Sequence, residues 1–350
     1  MPSPAMPVSV DQSPVRVGLA GLGRAGMYHL ERLGLRDDCR VVAAHDDCAA
    51  VLALANPCVR RLHATWREFL ADDLIELVVL AAPPTLHAEL AISTLAAGKH
   101  VLVETPLCLS LHEADAIDAA ARRSGKQVCV AQTRRWTEDF QTARRLLATG
   151  ELGELRAIKF INWQYSPPER PQRRTMTGRG PAPADESYGW RSHASTGGGL
   201  LWEFGVHYFD QLLQLAGRPA GSVFARLTPS AAGDCDDGFL AIVNFPGGLT
   251  GHVEASRIAA TPLFTGWMIA GDSGGYAGST QYIPNRAGEV VDTTIAPIAS
   301  QTDDFYRGIV DCLRNDGPNP APVEEARQTI ALIEAVRRSA RSGQSELVAN

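Results

Sequence analysis

The hydrophobic pattern of this chain changes partway along. Up to about residue 131, short continuous apolar runs alternate with helical stretches. The run opening at Val15, then Arg40 to Ala44, Leu77 to Ala81, His100 to Val103 and Gln127 to Ala131 read as strands. Continuous rather than alternating apolarity is expected of strands buried on both faces of a parallel sheet. Between them, Met27, Tyr28, Leu30 and Leu33 follow a helical pattern. Further helices are expected over Ala49 to Ala55, Trp66 to Leu70, Thr85 to Ala97 and Leu111 to Ser124. Gly98 and Gly125 stand where helix stops belong, and Thr85 is placed to cap the helix after Pro83-Pro84. This β-α alternation predicts a doubly wound parallel sheet, with ligands gathering at the carboxyl ends of its strands.

Beyond residue 132 the alternation gives way to β-prone runs. These are Leu155 to Trp163, Ser222 to Leu227, Phe239 to Phe245, Leu249 to Ile258 and Trp267 to Ala270, with turn signals such as Pro246-Gly247-Gly248. A helix over Phe140 to Ala148 precedes them, one over Gly199 to Ala216 interrupts them, and a helical region from Asp303 to about Arg341 follows, broken near Gly317-Pro318. The predicted fold class is α/β: a tail over 1–14, a Rossmann domain over 15–131, and a second α/β domain over 132–345 built on a large, mainly antiparallel open sheet. The polar stretch from Gln164 to Thr196 carries Arg170, Arg173, Arg174 and Arg179. It reads either as a solvated loop or as a lid over an anionic or glycosidic substrate.

The turn after the first strand is Gly21-Leu22-Gly23-Arg24-Ala25-Gly26. In such a G-x-G-x-x-G turn the first glycine permits the tight bend. The second lets a pyrophosphate approach the backbone, and the third lets the helix pack close to its strand. The helix N-terminus then faces the phosphates. Asp46, twenty residues beyond Gly26, ends the second strand where a carboxylate can accept hydrogen bonds from a ribose. A carboxylate repels a 2′-phosphate, and no Arg or Lys follows Asp46 closely, so NAD is expected over NADP.

Composition narrows the picture further. The 350 residues carry a net charge of −6, which argues against nucleic acid or an anionic membrane as partner. No apolar run reaches the roughly 20 residues of a membrane helix. Met1 to Pro14 lacks a basic-then-apolar pattern and reads as a disordered tail rather than a signal peptide. The seven cysteines are scattered singly, as suits free thiols in a reducing cytoplasm. The nine histidines form no ligand-like cluster, so no metal is expected.

The second candidate for chemistry is Gly197-Gly198-Gly199 followed by Glu203, His207 and Asp210. Glu203 and His207 are four apart and share a helix face. Asp210 could orient the imidazole or cap the helix. A histidine beside a carboxylate can take the hydroxyl proton that must leave when an alcohol is oxidised. The triple glycine would let the backbone crowd a ligand. Arg134 and Trp136 follow the last Rossmann strand at the expected cleft, where a cation could contact substrate or cofactor or pair with a local acid.

Together with Pro83-Pro84-Thr85-Leu86-His87, with Ala97-Gly98-Lys99-His100-Val101-Leu102-Val103-Glu104-x-Pro106 and with Trp190-Arg191, these motifs resemble the Gfo/Idh/MocA family of glucose–fructose oxidoreductases and inositol dehydrogenases. The resemblance spans about Val15 to Val348. It implies NAD(P)-dependent redox chemistry at a hydroxyl of a sugar, cyclitol or related polyol, with the second domain's open sheet mediating a homodimer or homotetramer. It implies a cofactor site of Gly21, Gly23, Arg24, Ala25, Gly26, Asp46, Pro83, Thr85, His87 and Glu104. The candidates for substrate contact are Arg134 and Trp136, by their place after the last Rossmann strand, and Trp190 and Arg191, by the resemblance. The reacting hydroxyl would be surrounded by the family's lysine, aspartate and histidine, whose positions hold Thr105, Glu203 and His207. Thr105 cannot carry a lysine's positive charge, and Glu203 lengthens the carboxylate arm by one methylene. The expectation is a cytoplasmic dehydrogenase of secondary hydroxyls. Two alternatives stand beside it: an NAD-retaining enzyme using transient oxidation for elimination, epimerisation or glycosidic cleavage, and a redox-silent sugar or nucleotide sensor.

Overall fold

The computed structural model describes residues 13–165, 191, 193–231, 234–261 and 265–349. Most of the expected tail, the four arginines of the basic loop and Trp190 lie outside the described residues.

The first unit runs β1 (Val15–Ala20), α1 (Arg24–Gly34), β2 (Cys39–His45), α2 (Ala49–Leu54), β3 (Arg61–His63), α3 (Trp66–Leu70), β4 (Leu77–Leu80), α4 (Pro84–Ala96), β5 (His100–Val103), α5 (Leu111–Ser124) and β6 (Val128–Val130). Its strands pair in parallel in the order β3-β2-β1-β4-β5-β6. The order reverses between β1 and β4, which opens a crevice at their carboxyl ends. All four residues of β4 are buried, as their unbroken apolarity requires. Thr85 is not the cap of α4. The helix starts one residue earlier, at Pro84, with Pro83 in the cap position and no side-chain cap. A proline at the first helical position has no N–H in need of an acceptor and a preset φ, so a capping hydroxyl is unnecessary. Ser110 does cap α5, in a reciprocal box with Glu113.

The second unit contains α6 (Glu138–Thr149), β7 (Leu155–Trp163), α7 (Val206–Ala216), β8 (Ser222–Pro229), β9 (Asp236–Asn244), β10 (Thr250–Ser256), β11 (Thr265–Gly271), β12 (Gly275–Ala277), β13 (Thr280–Pro284), β14 (Val290–Thr294), α8 (Thr302–Arg314), α9 (Val323–Ser342) and β15 (Glu346–Leu347). Among the described residues its sheet has nine strands, ordered β14-β13-β12-β11-β7-β10-β9-β8-β15. The pairs are antiparallel except β7 with β10.

The two sheets share one apolar core, in which Val103 and Leu107 of the first unit belong with Phe160, Phe209 and Trp267 of the second. A separate core joins β1 to α8 through Val17, Leu19, Phe305 and Tyr306. The chain thus sends α8 back onto the first sheet. Between the units Arg135 is buried, its Nε 2.8 Å and its Nη2 2.6 Å from the two oxygens of Asp210 on α7. A bidentate, desolvated pair of this kind fixes geometry tightly. It seats α7 against the end of β6, and so brings His207 to the crevice.

Candidate active site

The glycine turn takes the form expected of a phosphate cradle. Gly21 has φ +86°, and a Cβ there would lie 2.6 Å from the Ala81 carbonyl oxygen. At Gly23 an added Cβ would meet nothing within 4 Å, so the backbone faces open space. No side chain caps α1, which leaves its first N–H groups for an anion. Gly26 lets the helix close onto the strand ends: a Cβ there would strike the Gly21 carbonyl oxygen, just past β1, at 1.9 Å and lie 3.6 Å from the Ala81 Cβ, just past β4. Asp46 accepts the Leu22 N–H at 2.8 Å and the Cys48 N–H at 2.9 Å. Each oxygen keeps a lone pair for a ribose. Arg24 and Ala25 open the helix, and Pro83 and Thr85 are exposed at the neighbouring strand end.

His87 has a different place. It is 1% exposed, and both ring nitrogens face backbone carbonyls, Ala82 and Pro106, at 2.8 Å. It ties two strand-end loops together and has no surface to offer a cofactor.

At the far side of the crevice three side chains converge from distant parts of the chain. The His207 Nδ1 is 3.0 Å from the Gln132 Oε1, and its Nε2 is 3.3 Å from the Thr105 Oγ1. Gln132 is buried, and its Nε2 donates to the Val206 carbonyl at 3.4 Å, which leaves the Oε1 to accept. The network therefore assigns the proton of a neutral imidazole to Nδ1 and the lone pair to Nε2. Burial, aided by the nearby Arg134 charge, pushes His207 well below the usual histidine range. It stands ready as a base, with a hydroxyl already in contact.

Asp210 does not orient the imidazole. Arg135 occupies it, and Gln132, which sequence reasoning missed, takes that role. Its signal lies in its place, two residues past the end of β6 at Val130. Glu203 turns away too: its Oε2 pairs with Arg257 Nη2 at 3.1 Å rather than with His207. The reason is local. Residues Leu201–Gly205 form a π turn, so the i, i+4 relation of a regular α-helix does not hold between Glu203 and His207.

The triple glycine is filled by the protein itself. Cβ atoms at Gly197, Gly198 and Gly199 would lie 2.8 Å from a Leu109 methyl, 2.4 Å from the Arg191 carbonyl oxygen and 2.3 Å from the Asp236 Oδ1. These glycines let internal parts approach, not a ligand. Arg191 contributes its carbonyl, which accepts the Gly199 N–H at 3.2 Å. Arg134 lies over the rings of Phe204 and Tyr208, 5.2 and 5.9 Å from their centroids, beside His207. Trp136 instead packs edge-on against Phe305 at 5.1 Å, as part of the β1–α8 core.

The Glu104 carboxylate completes the crevice. Its Oε1 lies 2.8 Å from the His29 Nε2, and its Oε2 accepts the Thr105 N–H at 3.0 Å. Burial opposes its charge, yet those hydrogen bonds prevail and hold the carboxyl below its ordinary range. Among the described residues no group of three or more His, Cys, Asp or Glu could hold a metal, and no helix is long and apolar enough to cross a membrane.

Comparison with known proteins agrees with this geometry. Residues 15–132 match the profile of an oxidoreductase family's NAD-binding Rossmann fold, and residues 140–277 match the Gfo/Idh/MocA C-terminal domain. The chain is 28% identical to the oxidoreductase YdgJ of Escherichia coli, over 93% of this chain and 96% of that one. It is 24% identical to IolW of Bacillus subtilis, a scyllo-inositol 2-dehydrogenase (NADP(+)), over 93% and 94%. An NAD-binding protein from Listeria innocua superposes with a TM-score of 0.82 at 27% identity, covering 96% of this chain and 97% of that one. Both units match the same family, on a crevice of the matching architecture, and the chain belongs to the Gfo/Idh/MocA oxidoreductases, with an NAD(P)-binding Rossmann domain and the family's C-terminal domain.

Proposed function

We propose that this protein moves a hydride between NAD and a secondary hydroxyl, or the matching ketone, of a sugar, sugar derivative or cyclitol. The observation that carries the reading is His207, held between Gln132 and Thr105 with its basic nitrogen on the Thr105 hydroxyl. The name of IolW supplies the cyclitol class. Asp46 favours NAD, because its carboxylate would meet a 2′-phosphate with like charge. IolW is named for NADP(+), so the choice is this chain's own.

The residues fit the dinucleotide. Gly21, Gly23 and the uncapped start of α1 take the pyrophosphate, and Asp46 takes a ribose. The bound nicotinamide supplies the hydride acceptor. His207 supplies the base. Thr105 donates its hydroxyl proton to His207 Nε2 and takes the substrate hydroxyl's proton onto Oγ1, so one proton moves per hydride. This relay replaces direct contact with a lysine. Glu203 and Arg257, paired at 3.1 Å, offer a polar anchor for the remaining hydroxyls. Arg134 adds a donor beside the reacting centre.

The test is nicotinamide reduction by the purified protein with NAD or NADP and a panel of inositols, sugars and sugar acids. Reduction with one class, abolished in His207→Ala while NAD affinity stays within about threefold, supports the reading. Full activity in His207→Ala contradicts it. Product without net NADH would replace net oxidation by transient oxidation at the same residues.

A further inference from the structure

Glu104 carries a second consequence, which rests on reading the crevice as a nicotinamide site. In a doubly wound sheet the two halves of a dinucleotide lie on either side of the switch point. Gly21 to Gly26 end β1, and Asp46 follows β2, on the adenosine side. A bound nicotinamide half would therefore lie over the ends of β4 and β5, where Glu104, Thr105 and His207 meet. The Glu104 carboxylate is 22% exposed there.

What stands behind it is a hydrogen-bonded relay. The Tyr306 hydroxyl is 2.9 Å from the His29 Nδ1, and both residues are buried. The Glu104 carboxylate can only accept, so His29 Nε2 carries the N–H that points at it. The relay orients the carboxylate and stabilises it by hydrogen bonding. Along the chain the next residue is Thr105, whose N–H donates to Glu104 and whose side chain is uncharged. The nicotinamide ring is cationic when oxidised and neutral when reduced: NAD⁺ takes up two electrons and one proton to give NADH. A fixed anion beside it interacts differently with the two forms.

We propose that the Glu104 carboxylate, oriented by the His29–Tyr306 relay and left unneutralised at Thr105, makes this site favour the oxidised dinucleotide over the reduced one. The bound reduced form is then the stronger hydride donor, which favours ketone reduction or return of a borrowed hydride. A unit charge at nearby range in a partly desolvated cleft shifts the relative affinity by on the order of tenfold or more. A tenfold shift corresponds to about 30 mV in the two-electron couple.

The experiment is equilibrium titration of the full-length protein with NAD⁺ and with NADH, by calorimetry and nicotinamide fluorescence. The quantity read is the ratio of Kd for NADH to Kd for NAD⁺. In Glu104→Gln the ratio should fall on the order of tenfold. Thr105→Lys, which adds a cation without touching the relay, should lower it in the same direction. Glu104→Asp, which keeps the charge, should retain most of the wild-type ratio. Ratios unchanged within about twofold in both Glu104→Gln and Thr105→Lys, with binding intact, overturn this inference and leave the cofactor reading standing. Wild-type protein that binds neither the NAD nor the NADP pair overturns both.

Discussion

In the function we propose, His207 is the residue on which the chemistry turns, and its partners decide its proton. With the Gln132 Oε1 accepting from the Nδ1–H and burial disfavouring the imidazolium, the basic nitrogen is unprotonated across neutral pH. The acidic limb of the kcat/KM profile should therefore lie below the ordinary histidine value of about 6.5. Replacing Gln132 by Glu sets a carboxylate against Nδ1, stabilises the imidazolium and should move that limb upward by about one pH unit or more. A pH–rate profile in which the limb stays put would show that Gln132 does not govern the imidazole. Thr105→Val keeps the shape and removes the hydroxyl. It should lower kcat by on the order of 10²-fold, as loss of a proton-transfer partner does, with NAD binding unchanged in titration. His207 was legible in the sequence from its helix and its glycine-rich approach. Gln132 was not, because it lies 75 residues away and meets His207 only through the packing of the two units. Asp210 looked the better partner by spacing, but the buried Arg135 had the stronger claim on it.

At the scale of elements, the approach to α7 is the least forgiving stretch. Gly199 has φ +98°, and a Cβ there would meet the Asp236 carboxylate at 2.3 Å. Gly199→Ala should cost about 2–4 kcal/mol in urea denaturation, from backbone strain and overpacking together. Asp236 accepts the Leu201 N–H at 2.8 Å, and burial raises its carboxyl from 3.8 to about 6. The folded state therefore keeps this proton when the unfolded chain has lost it. Stability contributed here is lost as pH rises from about 4 to about 6, and the penalty is complete above that window. Asp236→Asn keeps an acceptor for Leu201 and should flatten this slope. An Asn variant with the wild-type dependence between pH 4 and 6 would refute the assignment. The glycines themselves were visible in the sequence, but their purpose was not. Glycine marks close approach, and only the fold shows whether a ligand or the protein's own Asp236 does the approaching. Thr85 is the same lesson in a smaller space: a good capping residue was present, and the two prolines before it had already begun the helix.

Over the whole molecule, the two units are locked by Arg135, Asp210 and Glu325. Arg135→Ala strands a buried carboxylate and should destabilise by about 3–5 kcal/mol, whereas Arg135→Met with Asp210→Leu, which removes both charges, should lose much less. Equal losses in chemical denaturation would mean that shape, not charge, holds the seam. Five strands of the first sheet were readable, because strands buried on both faces print continuous apolar runs; the three-residue edge strand β3, exposed or half-buried throughout, was not. The second was readable in β7 to β11. The hairpin strands β12 to β14 escaped because they are short and carry no sustained apolar run; every residue of β14 is exposed. The parallel β7–β10 pair also escaped, since no local pattern records which distant strands become neighbours. The return of α8 onto the first sheet was hidden for the same reason, and with it the true place of Trp136 against Phe305.

The central claim is hydride transfer between substrate carbon and nicotinamide, with His207 handling the proton. Its most direct test offers the protein and NAD a panel of cyclitols and sugars deuterated at their secondary carbinol carbons, with mass analysis of the cofactor. The account predicts one deuterium in each NADH formed, a primary isotope effect on the chemical step, and loss of both in His207→Ala. A turned-over substrate that leaves no deuterium in NADH, or a His207→Ala protein that transfers it at the wild-type rate, would contradict the account.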